Sequence, residues 1–358
     1  MQPPFPPSRA LNFGIAGAGL LGRLLAWQLS HAGHEVHVFD PAPNAEARGA
    51  AGWTAAGMLS PVAELECADD GVFRLGLRSL ELWPRVLGQL QVPVEFRFDG
   101  SLLLAHRGDE GSARRVLDLL SSKLQALGPS LLVDGGSVAP RPLDASTLRQ
   151  LEPSIRGPAH AWLLPHEGRI HTVQAMQALA AAAPGVHWHW GRGVEHCEAG
   201  LLRTQDGGHR FDRVFDVRGT GARPDLPVRG VRGEIFWLQA PGLQLLRPVR
   251  LLHPRHRVYL VPRAPDLVVV GATEIESEDR SPVSLRSTVE LLAAAHSVVP
   301  ELAEARVVHS ESNLRPALPD NLPRLEMQDG ITRINGLFRH GWLIAPALVE
   351  QALQSMKS

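Results

Sequence analysis

The chain begins with a strand, a glycine-rich turn, a helix and a second strand that ends in an acid. In order these are Leu11-Asn12-Phe13-Gly14-Ile15-Ala16, Gly17-Ala18-Gly19-Leu20-Leu21-Gly22 and, beyond the helix, Val36-His37-Val38-Phe39-Asp40. This is G-x-G-x-x-G in the setting that gives it meaning, with a carboxylate about twenty residues further on. Gly17 permits the tight turn, Gly19 lets a pyrophosphate approach the backbone, and Gly22 lets helix pack close on strand. Free N–H groups at the helix start favour an anion, and Asp40 can accept hydrogen bonds from a ribose. The reading is dinucleotide binding, weighed against an ordinary βαβ turn.

A chain of 358 residues, 44% hydrophobic and 20% charged, has room for two domains. Its net charge of −1 leaves no electrostatic footprint for nucleic acid or an anionic membrane, so neither is expected as a partner. Lys123 and Lys357 are the only lysines. That scarcity leaves no candidate for a Schiff-base lysine or for the G-K-[ST] of a P-loop. Cys67 and Cys197 are isolated, without C-x-x-C, which suits inert thiols in a reducing cytoplasm. Met1 to Pro7 is proline-rich and reads as a flexible arm rather than a signal peptide. Arg23 breaks the most apolar early stretch, and no apolar run reaches membrane-spanning length.

After Asp40, small residues dominate from Gly49 to Leu59, a surface suited to close approach by a flat ligand. Helical spacing marks 69–90, and Phe96 to Ala105 reads as a hairpin turning at Asp99-Gly100. Helices are expected at 112–127, 144–151 and 172–183, the last with Thr172 as N-cap. Strands follow at 186–190, 193–197 and 211–217, ending in the glycine turn Arg218-Gly219-Thr220-Gly221-Ala222. From Val231 to Gly271 strands succeed one another at 233–238, 257–262 and 267–271, which predicts an antiparallel sheet. A helix from Ser284, a strand at 332–337 and a final helix from Ala345 complete the chain. A nucleotide-binding module interrupted by β-rich insertions and completed by the C-terminus favours FAD over NAD as cofactor. The fold class is therefore α/β, a Rossmann-type FAD-binding domain interrupted by a β-rich substrate domain of antiparallel sheet plus helices. The expected division is 8–90, 152–228 and 306–356 for the FAD domain, and 91–151 and 229–305 for the substrate domain.

Several segments together resemble the D-amino acid oxidase superfamily of flavoproteins, and within it the glycine oxidase branch of thiamine biosynthesis. They are Thr54-Ala55-Ala56-Gly57-Met58-Leu59, Val231-Arg232-Gly233-Glu234, Tyr259-Leu260-Val261-Pro262-Arg263 and Val270-Gly271-Ala272-Thr273. Leu314-Arg315-Pro316-Ala317-Leu318-Pro319-Asp320 and Phe338-Arg339-His340-Gly341-Trp342-Leu343-Ile344-Ala345-Pro346-Ala347 continue the series, so that the resemblance spans about 11–353. It implies noncovalent FAD and oxidation of an amine beside a carboxylate to an imine, with O2 reduced to H2O2. By this resemblance Gly17, Gly19, Leu20, Leu21 and Gly22 form the pyrophosphate turn, Asp40 and Pro41 the ribose site, and Val194 a backbone contact to adenine. Ala51, Gly52, Ala56, Gly57 and Met58 would lie along the flavin. Leu337, Phe338, Arg339, His340, Gly341, Trp342 and Leu343 would close over it. Arg315 and Arg339 match the carboxylate-reading arginines and Tyr259 the pocket tyrosine.

A guanidinium grips a carboxylate by two parallel hydrogen bonds, which fixes distance and orientation together. Hydride transfer needs that orientation, and the cofactor carries the chemistry, so no catalytic dyad of side chains is expected. The bland alternative for either arginine is a domain-bridging salt bridge, and for Tyr259 a half-buried strand aromatic. Glu274 stands where the branch pattern has an apolar residue; it either holds the substrate ammonium or is a solvated turn acid. Arg257, two residues before Tyr259, is a comparable departure. His187 and His189 put two imidazoles on one strand face, as a metal site could, but no third ligand is visible and no metal is expected. The expected substrate is glycine or a small secondary or D-amino acid, the product serving the thiazole of thiamine; a homo-oligomer is left open. Rival readings are a D-amino acid dehydrogenase with another electron acceptor, a flavin domain acting on a modified tRNA base, and a non-catalytic nucleotide sensor.

Overall fold

Strand β1 (Asn12–Ala16), helix α1 (Leu20–His31) and strand β2 (Glu35–Asp40) form as the pattern requires. The computed structural model describes residues 10–128, 132–133, 136–253 and 257–356; the N-terminal arm and Lys357 lie outside them. β1 is buried along nearly its whole length because it is central in a parallel sheet covered on both faces. That six-stranded sheet runs Val186–Trp190, β2, β1, Arg213–Asp216, Ile331–Asn335, Arg324–Gln328. All neighbours are parallel except the last pair. α1, the helix Asp70–Leu87 and the C-terminal helix Gly341–Gln354 cover one face, burying Leu24, Leu25, Trp83, Ile344 and Leu348. A small antiparallel sheet, Val194–Glu198, Leu201–Thr204 and Gly207–Arg210, covers the other through Phe39, Leu202 and Val214.

A second, eight-stranded sheet runs Arg306–Ala317, Arg229–Gln239, Leu267–Gly271, Arg257–Arg263, Val249–Leu252, Ser101–Ala105, His160–Leu164, Arg141–Leu143. Its pairs are antiparallel except Val249–Leu252 beside Ser101–Ala105. Phe236, Leu260 and Val270 pack from it onto Leu291 and Val298 of the helix Leu285–Val298. The chain is thus α/β with a largely antiparallel second sheet. His160–Leu164 and Arg306–Ala317, within segments assigned above to the FAD domain, hydrogen-bond into this second sheet.

Three local expectations differ from what forms. Phe96–Arg97 pairs with Gly168–Ile170, whereas Ser101–Ala105 joins the eight-stranded sheet. The Asp99-Gly100 turn therefore carries the chain between sheets rather than closing a hairpin. The helix Thr172–Ala181 is capped by His171, whose Nδ1 accepts from Gln174 N at 3.4 Å, while Thr172 is its first helical residue. The last helix starts at Gly341, not Ala345, although Pro346 lies inside it. Proline has no N–H for the carbonyl four residues back, that of Trp342. Trp83 Nε1 donates to that oxygen at 3.0 Å and replaces the missing bond. No helix among the described residues is long and apolar enough to cross a membrane.

Candidate active site

The three glycines of the turn have three different reasons to be glycine. Gly17 has φ +105°, where a side chain is strained. A Cβ on Gly22 would lie 1.9 Å from the Gly17 carbonyl oxygen, so only glycine lets α1 sit this close. Gly19 meets nothing nearer than the Ala50 Cβ at 3.6 Å. The protein's own packing does not require glycine there; the open space lies where a ligand would approach. Asp40 holds the turn, accepting from Ala18 N at 2.6 Å and Ala42 N at 2.8 Å.

Behind the turn, buried Arg23 donates to the carbonyls of Ala18 (2.8 Å), Met176 (2.7 Å) and Ala45 (2.8 Å). It also lies over the rings of Trp53 and Trp190 at 5.1 and 5.7 Å. Burial pulls its pKa down to about 10, so it stays charged at neutral pH. The residue that breaks the apolar pattern thus ties the glycine turn to the loop at Ala45 and to the helix Thr172–Ala181.

From this turn a cavity of about 810 Å³ runs between the two sheets. That is large even among ligand pockets of roughly 300–1,000 Å³. Gly17, Gly19, Leu20, Leu21, Asp40, Pro41 and Val194 line it. Ala51, Gly52, Ala56, Gly57 and Met58 also line it, as do Leu337, Phe338, Gly341 and Trp342. A Cβ on Gly49 would meet nothing within 4 Å, a second stretch of backbone left open on the cavity side. The N–H groups at the start of α1, the acid at Asp40 and this bare backbone fit a dinucleotide carrying a flat ring system. Gly22, His340 and Leu343 do not line the cavity. Gly22 packs under the turn, and His340 and Leu343 are buried behind the wall.

Arg315, Arg339, Tyr259 and Glu274 come together in the same cavity, on segments far apart in sequence. Arg315 lies flat on the neighbouring strand: a Cβ on Gly233 would be 2.5 Å from its Cζ. Its Nη1 donates to Thr273 O at 3.0 Å and more weakly to Arg232 O at 3.4 Å. Burial pulls its pKa down, offset in part by Tyr259. Tyr259 stands opposite Gly271, where a Cβ would be 2.8 Å from the phenol oxygen. Burial raises the Tyr259 pKa, so the phenol stays protonated. Arg339 follows Phe338, whose φ of +46° is held by Phe338 N donating to Pro316 O at 2.9 Å. Such a conformation in a bulky residue needs its surroundings to impose it. Glu274 is 45% exposed and accepts from Arg339 Nη1 at 3.2 Å. It is therefore an ion-pair partner at the cavity wall rather than a lone solvated acid. Arg257 pairs with Glu66 at 3.5 Å on the same lining.

Sequence reasoning missed Glu64. This carboxylate is 7% exposed, on the short helix Pro61–Glu64, and gathers three partners. Oε2 lies 3.0 Å from Arg339 Nε and 3.0 Å from His340 Nδ1, and Oε1 accepts from Arg250 Nη2 at 2.6 Å. Burial pushes its pKa up, but Arg339, Arg250 and His340 together hold it well below the usual carboxylate range. Arg339 is in turn held charged, chiefly by Glu64. Glu64 thus pairs with Arg339 at Nε while Glu274 takes Nη1, and Arg339 itself lines the cavity. Glu167, also buried, accepts from Ala63 N at 2.9 Å and from Ser101 Oγ, which seats the short helix on the second sheet. The signal in sequence was only an acid after an apolar run, with nothing local to tie it to Arg339. Of the two thiols, Cys67 is exposed and Cys197 buried, and burial raises the pKa of Cys197.

Known proteins resemble this chain along nearly its whole length. The chain matches the DAO family, described as FAD dependent oxidoreductase, over residues 13–352. It is 36% identical to the thiamine biosynthesis oxidoreductase ThiO of Rhizobium etli over 344 residues, covering 96% of this chain and 95% of that protein. It is 26% identical to a glycine oxidase of Geobacillus kaustophilus over 362 residues, covering 94% and 90%. The crystal structure of glycine oxidase from Geobacillus kaustophilus superposes with a TM-score of 0.83 at 24% identity, covering 98% and 95%. That of iminodiacetate oxidase from Chelativorans sp. BNC1 gives 0.81 at 23% identity, covering 97% and 95%. By this match over nearly its whole length, the chain belongs to the DAO family of FAD-dependent oxidoreductases.

Proposed function

We propose that this enzyme oxidises glycine or a small secondary or D-amino acid to the imino acid, in the cytoplasm, for the thiazole of thiamine. The observation that carries the reading is the convergence of Arg339, Arg315 and Tyr259 on the cavity that begins at the dinucleotide turn. The ThiO and glycine oxidase relatives support the branch. FAD, when bound, supplies the acceptor for hydride from Cα and passes the electron pair to O2, giving H2O2.

Gly19, Leu20 and Leu21 would hold the pyrophosphate, Asp40 and Pro41 the ribose, and Ala51 to Met58 with Leu337 to Trp342 the ring system. Arg339 then offers its Nη edge to the substrate carboxylate, and a paired guanidinium fixes the plane of the acid group. That fixes where the Cα–H bond points, which is the positional demand of hydride transfer. Arg315 contributes a second positive charge that its two carbonyl partners do not neutralise. The incoming carboxylate takes the place of Glu274 on Nη1, and the freed Glu274 faces the substrate ammonium. A proton must leave that nitrogen before its lone pair can form C=N, and Glu274, with open access to water, is placed to pass it on. The test is anaerobic addition of glycine, sarcosine or D-proline to the yellow protein. Loss of flavin absorbance with any of them supports the reading; retention with all three refutes it.

A further inference from the structure

The pair His187 and His189, which lacked a third ligand in the sequence, acquires partners from β2. Val186–Trp190 lies parallel to β2 with His187 opposite His37, so their side chains share one face of the sheet. The two rings stack with centroids 4.5 Å apart. Ligating atoms of Glu35, His37 and His187 all lie within 4.8 Å of one another. His37 Nε2 is 3.2 Å from Glu35 Oε1, and its Nδ1 is 3.1 Å from His189 Nε2. His189 is itself stacked on Phe39, centroids 4.2 Å apart.

We infer that Glu35, His37 and His187 bind a divalent transition-metal ion, with His189 as the group that orients His37. Two imidazoles and one carboxylate are the donor set of zinc, nickel or copper; magnesium and calcium prefer oxygen throughout. Metal on His37 Nε2 leaves the proton on Nδ1, which donates to His189 Nε2, the outer hydrogen bond that a metal-bound imidazole ordinarily makes. Bonds of about 2.0–2.2 Å require the donors to close up from their present spacing. Glu35 and His187 are exposed, which leaves both side chains room to turn, His187 giving up its stack on His37 to aim a nitrogen at the ion. Three protein ligands leave a fourth position for water. The ion would bridge an edge strand to β2, and in the same register Trp190 stands opposite Asp40 of the cavity lining. The site lies outside the cavity lining and needs no part in amine oxidation.

The experiment is isothermal titration of zinc chloride into tag-free, chelator-dialysed holoenzyme at neutral pH, repeated with magnesium chloride. A single zinc ion bound at micromolar or tighter affinity, with no heat from magnesium, is expected. His187→Ala and His37→Gln should each weaken zinc at least tenfold while flavin absorbance is unchanged, since loss of even an outer partner costs about 10–100-fold. Cobalt(II) gives a second readout on the unmutated protein: an absorption spectrum of tetrahedral type, bleached by added zinc. Millimolar zinc binding, zinc affinity undiminished in His187→Ala, or an octahedral cobalt spectrum overturns the assignment.

Discussion

Replacing Glu64 by glutamine keeps the shape of the side chain and removes the buried charge that Arg339 and Arg250 share. In the native protein this carboxylate sits within 3.0 Å of Arg339 Nε and His340 Nδ1, and 2.6 Å from Arg250 Nη2. Removing one partner of a buried ion pair costs about 3–5 kcal/mol, because the remaining charge stays desolvated. Arg250 and the Nε edge of Arg339 lose their shared buried partner, so the loss belongs in that range at neutral pH, a large part of an ordinary stability of about 5–15 kcal/mol. The pH dependence has a definite sign. Arg339, Arg250 and His340 hold the Glu64 carboxyl well below the usual carboxylate range in the folded protein. A depressed acid contributes stability that is fully present above the unfolded pKa and is lost as pH falls through the folded one. Urea unfolding of holoenzyme and Glu64→Gln should therefore show the full gap at pH 7, narrowing only below 4.5. A gap under about 1 kcal/mol at pH 7, the scale of an exposed pair, would refute the account of Glu64 as the buried hub.

Gly22→Ala places a methyl 1.9 Å from the Gly17 carbonyl and should yield protein that no longer retains FAD through gel filtration. Asp40→Asn presents an amide N–H group to either Ala18 N or Ala42 N, two donors the carboxylate now satisfies. The unmade bond costs about 1–3 kcal/mol, so FAD affinity measured by fluorescence should fall roughly ten- to a hundredfold. Glu274→Gln should leave thermal stability within about 0.5 kcal/mol, as an exposed substitution does. It should tighten binding of acetate, which competes with Glu274 for Arg339, and lower kcat/KM for zwitterionic glycine.

The dinucleotide turn was legible because its chemistry is local: Gly17, Gly22 and Asp40 each answer a constraint set within the same βαβ unit. The antiparallel sheet was legible from strands that follow one another without helices. Arg315, Arg339 and Tyr259 were reached through family resemblance, and the structure puts them in one cavity. Glu64 was not reachable, since its meaning comes from Arg250, Arg339 and His340, which no spacing links to it. The same applies to the helix start at Gly341. Pro346 argues for a later start until Trp83, from another helix, supplies the missing donor. Asp99-Gly100 shows the reverse error, a sound turn motif whose flanking strands join different sheets. His37 and Glu35 were hidden from His187 because parallel register is a tertiary fact.

The most direct measurement compares anaerobic glycine titrations of the FAD-loaded enzyme and of Arg339→Leu, following flavin absorbance. The account predicts that both proteins stay yellow before glycine. The unmutated enzyme should then bleach, and the variant should need at least a hundredfold more glycine, because a carboxylate left without its guanidinium loses about 3–5 kcal/mol. Bleaching of the variant at the same glycine concentration would contradict it.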